Sequence, residues 1–341
     1  MPLKFAYLGV WHSHAVMHVR EAVQRPEEFQ LVGLFEPQQD VRAQKLSQWA
    51  EYMPDIPVFD SVSDVLSSTA EAVIIEGRIL QNLDYAEQAL EAGKHVLLEK
   101  PAGVDLAHLE RVHQLANSKG LHLQMAYMWR YNPALYEMIR LVKTGVLGDI
   151  FYYRGHIPKS KSYHPQIARD LGVYKTAIYF EMAGHLVDLM VTLMGEPPRV
   201  QSILGQHYGD RKHVDNAVVL HEFTNGIGTI ETSAMHIESG RTRRIEVYGT
   251  GGTAIHTPIG SPNLSLCLEE AGEGYPVGWQ DLVFPTTEDS PSLLRELAAC
   301  IRGDKAPDYT LAHDMAVQRT LFTGCAIPDG HALIGFRKLT T

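Results

Sequence analysis

Cysteine is scarce in this chain of 341 residues, which contains only Cys267, Cys300 and Cys325. The three form no Cys-x-x-Cys or cysteine–histidine metal pattern, so a disulfide scaffold is excluded and reduced thiols are indicated. Long apolar runs are missing as well. No stretch approaches the ~18 consecutive apolar residues of a membrane span, and the first apolar run is too short for a signal peptide. We therefore expect a cytoplasmic protein that does not cross a membrane.

An excess of positive charge is also lacking. The chain has 30 Lys and Arg residues against 40 Asp and Glu residues, which gives a formal net charge of −10. No global positive field would attract nucleic acid or an anionic membrane. The hydrophobic fraction of 45% is normal for a globular protein. A length near twice ~150 residues predicts two domains.

Strand and helix patterns alternate over the first 100 residues. Short apolar runs at 4–10, 30–35, 72–76 and 95–98 are typical of strands that are buried on both faces. Segments with helical spacing separate these runs, so the pattern predicts βαβ units and a parallel sheet. The carboxyl ends of its strands then lie along one edge, where open α/β sheets bind ligands.

The pattern changes after about residue 125. The second part contains strand-like runs at 150–156, 199–206, 217–223, 226–236 and 243–249 and predicted helices at 133–144, 176–194 and 291–302. Thr224-Asn225-Gly226 is a hairpin signal. Several antiparallel strands with a few helices predict an α+β domain. We place the first domain at 1–125 and the second at 126–341.

The first strand runs into Gly9-Val10-Trp11-His12-Ser13-His14. A dinucleotide-binding strand would continue here as Gly-x-Gly-x-x-Gly. Only Gly9 fits, because Trp11 and His14 stand where the other two glycines would be. Glu36 ends the second strand, and a carboxylate there can accept hydrogen bonds from the adenosine ribose. The alternative is a solvated loop residue, so these features alone leave cofactor binding open.

Two further segments carry chemistry. A strand ends at Glu99-Lys100-Pro101, and burial of Lys100 would suit proton transfer or orientation of a substrate hydroxyl. The alternative is an ordinary lysine paired with Glu99. In the helix predicted at 176–194, Glu181, His185 and Asp188 fall near one face. A carboxylate beside a histidine can prepare it as a general base, whereas the alternative is a salt-bridged helix face.

These segments resemble the glucose–fructose oxidoreductase/inositol dehydrogenase-like family, often written Gfo/Idh/MocA. Residues 92–101 match its Ala-Gly-Lys-His-Val-x-x-Glu-Lys-Pro segment, and residues 128–133 resemble the segment that opens its second domain. Glu181, His185 and Asp188 fall on the family's Asp-x-Gly-x-His-x-x-Asp helix, with Glu181 in place of the first Asp.

The resemblance implies an α/β Rossmann domain with a parallel sheet, followed by an α+β domain with an open, mostly antiparallel sheet. It implies an NAD(P)-dependent dehydrogenase that acts on a polyol, sugar or related hydroxyl compound. We expect NAD rather than NADP, because no cation within the turn after Glu36 would offset its charge and Arg42 lies on the next helix. The family commonly forms dimers or tetramers through the outer face of the second sheet. The first domain would bind dinucleotide, and the second would bind substrate and mediate oligomerisation.

The residues of the site follow from the motifs and the resemblance. We expect cofactor contacts from strand-end residues: Gly9, Trp11, His12, Ser13, His14, Glu36, Glu76, Gly77, Glu99 and Lys100. We expect substrate contacts from Lys100, Arg130, Tyr163, His164, His185 and Asp188. Catalysis is assigned to Lys100, His185 and Glu181, with His185 transferring the proton.

Two other functions stay open. A non-catalytic member that binds a sugar-like ligand or a partner would explain the altered glycine loop, although Lys100 and His185 argue against it. A metal-dependent hydrolase or isomerase would use His12 and His14, since a His-x-His pair at a strand end occurs in metallohydrolases. No carboxylate-rich partner motif follows at a later strand end, so no metal is expected.

Overall fold

The computed structural model describes residues 1–163, 176–207 and 214–326. The chain forms two compact units. The first comprises Met1–Tyr127 and Ser292–Leu311, and the second contains residues 128–291 and those from Ala312 onward. By their contacts, residues 292–311 therefore belong to the first unit. The sequence analysis placed them in the second domain, 126–341. The assignment of dinucleotide binding to 1–125, and of substrate binding and oligomerisation to 126–341, stays a prediction.

The first unit is built on a five-stranded sheet. Its strands are β1 (Leu3–Leu8), β2 (Phe29–Phe35), β3 (Ala72–Ile75), β4 (His95–Leu98) and β5 (Leu123–Met125). The strand order is β2-β1-β3-β4-β5, and every neighbouring pair is parallel. All four residues of the central β3 are buried, as expected for a strand covered on both faces. The predicted parallel sheet is confirmed.

Helices separate these strands, and further helices belong to the second unit. The described helices are α1 (Ala15–Gln24), α2 (Gln39–Trp49), α3 (Val62–Ser67), α4 (Ile79–Glu91), α5 (Leu106–Ser118), α6 (Pro133–Lys143), α7 (Ala177–Met182), α8 (Gly184–Met194), α9 (Leu293–Arg302) and α10 (Leu311–Gly324). None of them combines the length and the apolar character that crossing a membrane requires.

Helix α9 completes the first unit from far along the chain. The Ser292 side chain caps it by accepting from the Arg295 N–H at 3.1 Å. Arg295 also donates to Glu28 at 3.0 Å, and the Gln124 amide donates to the Leu293 carbonyl at 2.9 Å. Its apolar face is fully buried at Leu294 and Leu297. This segment is therefore part of the packing of the first unit.

The second unit is built on an eight-stranded sheet. Its strands are β6 (Ile150–Ser160), β7 (Arg199–Gly205), β8 (Asn216–Phe223), β9 (Gly226–His236), β10 (Arg244–Gly249), β11 (Gly252–His256), β12 (Asn263–Leu268) and β13 (Gly278–Val283). The strand order is β13-β12-β11-β10-β6-β9-β8-β7. Among the strands that the structure describes in this sheet, only β6 and β9 pair in parallel. The predicted mostly antiparallel sheet is confirmed, as is the hairpin that joins β8 to β9.

The two faces of this sheet differ in burial. Ile230 and Ile245 are fully buried, whereas Ile227 and Val218 are exposed. Helix α8 packs on the buried face beside two glycines. A Cβ built on Gly155 would lie 2.8 Å from the Leu186 side chain, and one on Gly228 would lie 2.5 Å from the Met190 sulfur. The glycines therefore let the helix that carries His185 approach the sheet closely.

The single helix predicted over 176–194 is wrong in one detail. The segment forms α7 and α8, which meet at Ala183. Glycine at position 184 weakens helix propensity by ~1 kcal/mol relative to alanine, which favours a break at this point. The Ala183 N–H still donates to the Tyr179 carbonyl at 2.8 Å, so the chain keeps its direction through the junction.

Candidate active site

The loop after β1 carries the one glycine of the expected fingerprint. Gly9 has a φ of +76°, which lies in the left-handed region, and its N–H donates to the Phe35 carbonyl at 2.8 Å. A Cβ on Gly9 would lie 2.4 Å from the Cα of Gly77. The loops after β1 and β3 are therefore in backbone contact, which only glycine permits here. Trp11 lies beside the same loop, with the Arg78 guanidinium 5.4 Å from its ring centre.

Glu36 lies at the end of β2 and holds the loop after β1. Its side chain is only 3% exposed, so the alternative of a solvated loop residue is wrong. One carboxylate oxygen accepts from the Val10 N–H at 2.9 Å and the other from the Gln38 N–H at 3.0 Å. Burial and these backbone contacts fix the carboxylate at the carboxyl edge of the sheet.

Two cations contact the turn after Glu36. Arg42 donates to the Glu36 carbonyl at 3.2 Å, and Arg78 donates to the Gln38 side chain at 2.9 Å. Neither cation belongs to the turn itself. Arg42 comes from the next helix, as the sequence indicates, whereas Arg78 follows a different strand and is brought to the turn by the fold. The positive charges reduce the repulsion that Glu36 would exert on a phosphate group.

Three histidines and two buried glutamates gather at the ends of β1, β3 and β4. The Nδ1 atom of His12 lies 3.4 Å from Glu76 and 3.5 Å from Glu99. His14 lies 3.3 Å from Glu99, and His18 lies 3.5 Å from Glu76. The backbone also joins these loops, because the His12 N–H donates to the Glu76 carbonyl at 2.8 Å.

The electrostatic balance of this cluster is set by burial and by the imidazoles. Burial raises the pKa of the Glu76 carboxyl, but hydrogen bonds and positive charge from His12 and His18 outweigh it and hold that pKa well below its ordinary value. The half-buried Lys45 donates to the His12 carbonyl at 2.8 Å. Burial lowers the pKa of the Lys45 amine despite the nearby carboxylates.

Lys100 follows Glu99 at the tip of β4. It is 2% exposed, and its Nζ lies 3.9 Å from the Glu99 carboxylate. The structure thus confirms that this lysine is buried, and it also contains the contact with Glu99 that the alternative reading required. A buried amine at the carboxyl edge of a parallel sheet is placed where such sheets bind ligands.

The second unit positions His185 in α8. Its ring is 3% exposed and stacks on the Trp129 ring, with centroids 4.6 Å apart and planes at 24°. Trp129 belongs to a short helical turn, Met128–Tyr131. The side chain of Asn132 ends that turn by capping α6, accepting from the Ala134 and Leu135 N–H groups at 3.1 Å. Glu181, in α7 one helical turn before His185, is also buried.

Arg130 and Asp188 form the centre of a buried ion-pair network. The Arg130 Nε atom lies 2.9 Å from an Asp188 oxygen, and an Arg130 terminal nitrogen lies 3.1 Å from Asp314. His313 contacts the same Asp188 carboxylate at 3.0 Å. Burial raises the pKa of Asp188, but the Arg130 charge and the hydrogen bonds from His313 and Arg130 outweigh it, so that pKa is lowered.

The remaining predicted residues divide between described and undescribed parts of the chain. Tyr163 is partly exposed at the end of the turn Lys161–Tyr163, and the Lys159 ammonium lies 4.5 Å from its ring centre. His164 lies outside the described residues. The sequence did not reveal His313, which contacts Asp188 from 125 positions along the chain, or Asp314, which contacts Arg130 from 184 positions along the chain. Neither residue belongs to a motif.

Two models of one protein family match most of the chain. The model described as "Oxidoreductase family, NAD-binding Rossmann fold" (GFO_IDH_MocA) matches residues 3–127. The model described as "GFO/IDH/MocA C-terminal domain" matches residues 136–255. The two matches follow each other along the chain as the resemblance required.

The curated relatives are distant in sequence. An uncharacterised oxidoreductase of Schizosaccharomyces pombe is 26% identical over 205 residues, 60% of this chain and 54% of that protein. The scyllo-inositol 2-dehydrogenase (NAD(+)) of Bacillus subtilis is 25% identical over 251 residues, 70% of each chain. In two other curated relatives, both uncharacterised oxidoreductases of Escherichia coli, the matched stretch spans 35% and 56% of the protein's length.

A solved structure extends the likeness to nearly the whole chain. Levoglucosan dehydrogenase, in complex with NADH and levoglucosan, has a TM-score of 0.79 and 16% sequence identity, and the alignment covers 96% of this chain and 98% of that one. At this identity the likeness concerns the fold. The predicted architecture of both units is confirmed.

Proposed function

Because the chain belongs to the GFO/IDH/MocA oxidoreductase family, we propose that it is a dehydrogenase that transfers a hydride between a nicotinamide cofactor and a CH–OH group of a polyol, sugar or related hydroxyl compound. The observation that carries the proposal is the convergence of Gly9, Glu36, Glu76 and Lys100 at the carboxyl edge of one parallel sheet. This edge is where open α/β sheets bind dinucleotides.

The residues of the first unit fit a dinucleotide. Glu36 is held by two backbone N–H groups at the place where a carboxylate receives the adenosine ribose hydroxyls. Gly9 and Gly77 keep the adjoining backbone free of side chains. The wider set of cofactor contacts, Trp11, His12, Ser13, His14, Glu76 and Glu99, stays a prediction. When bound, the nicotinamide supplies the hydride acceptor or donor.

The catalytic roles are assigned by chemistry. Lys100 polarises the substrate oxygen, because a buried ammonium stabilises the alkoxide that forms as the proton leaves. His185 takes the hydroxyl proton while the carbon loses its hydride, so that CH–OH becomes C=O. Glu181 is assigned a supporting role, because it is a buried carboxylate one helical turn before His185. Tyr163 and His164 stay candidates for substrate contact.

Arg130 and Asp188 are better suited to a positioning role. Substrate contact was predicted for both, yet the described polar contacts of Arg130 engage the carboxylates of Asp188 and Asp314. Arg130 adjoins Trp129 in sequence, and Asp188 follows His185 by three residues in α8. The ion pair thus joins the turn that carries Trp129 to the helix that carries His185.

A substrate screen tests the proposed function directly. The protein is incubated with NAD and a panel of polyols and sugars, and formation of reduced nicotinamide is followed by absorbance. At least one hydroxyl compound should be turned over, and Lys100→Met should abolish most of that activity. Binding of NAD with no turnover of any panel member, in both directions of the reaction, would favour the non-catalytic alternative.

The charges around Glu36 predict cofactor preference. We expect NAD to bind about ten-fold more tightly than NADP, because repulsion between one carboxylate and the 2′-phosphate costs ~1.4 kcal/mol. Glu36→Gln should lower the ratio of the NADP dissociation constant to the NAD dissociation constant. Arg78→Ala should raise this ratio, because a compensating cation is lost. Fluorescence titration with both cofactors measures the ratio. Lys94→Ala serves as the control, since its amine contacts the Ser68 and Ala70 carbonyls at the opposite edge of the sheet.

Equal dissociation constants for NAD and NADP in the unaltered protein would contradict this expectation. A ratio that does not respond to Glu36→Gln would assign the preference to other residues.

The outer face of the second sheet predicts self-association. Ile203 is 71% exposed in β7, and Ile227 and Trp279 are exposed on the same face. We expect a homodimer or homotetramer that buries at least ~1,000 Å². Light scattering coupled to gel filtration should give a multiple of 38.1 kDa, and the double substitution Ile203→Asp with Ile227→Asp should lower that mass.

Ile237→Asp is the matched control, because Ile237 is exposed but lies just beyond the end of β9. A monomer at micromolar concentration would refute the expectation, and so would an assembly that the double substitution leaves intact.

A further inference from the structure

The cluster at the ends of β1 and β4 has the spacing of a metal site. The Nδ1 atoms of His12 and His14 lie 3.5 and 3.3 Å from Oε1 of Glu99. All three donor atoms lie within 4.8 Å of one another. Tetrahedral metal–ligand bonds of ~2.0–2.1 Å separate neighbouring donor atoms by ~3.3–3.4 Å. The distances from the two Nδ1 atoms to Glu99 are close to this separation.

The buried carboxylates at this point call for positive charge. The Nδ1 atom of His12 lies 3.4 Å from Oε2 of Glu76 and 3.5 Å from Oε1 of Glu99. Both glutamates are almost completely buried. Carboxylates that meet away from water are stabilised only when positive charge lies beside them, and a metal ion bound by neutral imidazoles supplies that charge as a protonated imidazole does.

We propose that His12, His14 and Glu99 bind a divalent metal ion of the zinc class. Imidazole nitrogen and carboxylate oxygen are typical ligands of zinc, and three protein ligands leave a fourth position open for water or an anionic oxygen. Glu76 lies 3.4 Å from the same Nδ1 atom of His12, and His18 contacts the other Glu76 oxygen at 3.5 Å.

The site goes beyond the proposed dehydrogenase activity. His14 occupies one of the positions where a dinucleotide loop would have glycine, and its imidazole reaches the cluster only because the loop turns it toward Glu99. The dehydrogenase function requires no metal. The ion is therefore tested on the protein without cofactor or substrate, and a negative result leaves the dehydrogenase proposal standing.

Metal titration of the full chain tests the proposal. The protein is stripped with a chelator, dialysed, and titrated with Zn²⁺ by calorimetry and with Co²⁺ by visible spectroscopy. We expect one ion per chain with micromolar or tighter affinity, and the intense visible bands of four-coordinate Co²⁺. Loss of an outer contact in metal sites costs about 10–100-fold in affinity. His14→Ala and Glu99→Gln, which remove ligands, should each weaken binding by at least ~100-fold.

The control variant is His122→Ala. His122 lies in the same unit but stacks on His95, with ring centroids 5.4 Å apart. The His122→Ala variant should bind Zn²⁺ with the same affinity as the unaltered protein. His14 is partly exposed, with a side chain 22% accessible, so its alanine variant is the one least expected to disturb folding. Circular dichroism verifies this.

Two results would overturn the proposal. One is the absence of binding heat and of cobalt bands in the unaltered protein. The other is Zn²⁺ binding that a folded His14→Ala variant retains at full affinity, because the ion would then be held elsewhere in the chain.

Discussion

Replacing His185 by alanine is expected to lower the turnover number by about 10²–10⁴-fold, the usual contribution of a positioned general base. The affinity for NAD should stay nearly unchanged, because His185 belongs to the second unit and the NAD-binding Rossmann fold is the first. Steady-state kinetics on the substrate found in the screen measures the loss. Added imidazole should restore part of the activity, and the limb of the pH–rate profile that reports this base should disappear.

His221→Ala is the matched control for this substitution. His221 is fully buried in β8, and burial lowers the pKa of its imidazole to about 4, so it stays neutral within the sheet. Its loss should reduce stability with little effect on turnover. The burial of His185 against Trp129 allows a packing role as well. If His185→Ala lowers stability but leaves turnover and the pH profile unchanged, packing is its function.

Replacing Arg130 by methionine is expected to lower the free energy of unfolding by ~3–5 kcal/mol. The substitution keeps an apolar side chain of similar length but leaves the buried carboxylates of Asp188 and Asp314 without their guanidinium. An uncompensated buried charge is the costly outcome of breaking such a pair. Urea unfolding followed by circular dichroism measures the change, with Trp fluorescence as a second probe because two units can unfold in separate steps.

An exposed ion pair provides the comparison for Arg130. Arg199 lies 3.3 Å from Glu222 with both side chains exposed, so Arg199→Ala should cost only ~0–1 kcal/mol. Combining Arg130→Met with Asp188→Leu should cost less than Arg130→Met alone, because an apolar pair replaces the buried charges. A loss below ~1 kcal/mol for Arg130→Met would show that water or a rearranged His313 compensates the carboxylates.

Acid should weaken the same network. The pKa of Asp188 is lowered in the folded protein, since the Arg130 charge and its hydrogen bonds outweigh burial. A lowered pKa contributes stability above the unfolded value of ~3.9, and that stability is lost as pH falls below it toward the folded value. The contribution is therefore complete at neutral pH.

The sequence predicted the first unit well because its signals are local. Short apolar runs and intervening helical segments define the parallel strands, and the carboxyl ends of parallel strands meet by geometry. Gly9, Glu36, Glu76 and Lys100 could therefore be placed at one edge from the sequence alone. The signal for the hairpin between β8 and β9, Thr224-Asn225-Gly226, is equally local.

The partners of the site residues could not be predicted in the same way. Asp314 contacts Arg130 across 184 positions, and no periodic pattern relates the two residues. The stacking of Trp129 on His185 joins a turn to a distant helix. Arg78, one of the two cations at the turn after Glu36, comes from the loop after β3. Such contacts depend on tertiary packing, and a single sequence contains no direct record of it.

The late position of α9 has a consequence for synthesis. The first unit includes Ser292–Leu311, yet the ribosome synthesises residues 128–291 before that segment. Until α9 emerges, the surface that receives Leu294 and Leu297 stays uncovered on the nascent chain. Domains usually complete folding in the order of their synthesis. Here the first unit can be completed only after residues 128–291 have been synthesised. A chain that ends at about residue 127 would therefore lack α9 and would be a target for chaperones and proteases.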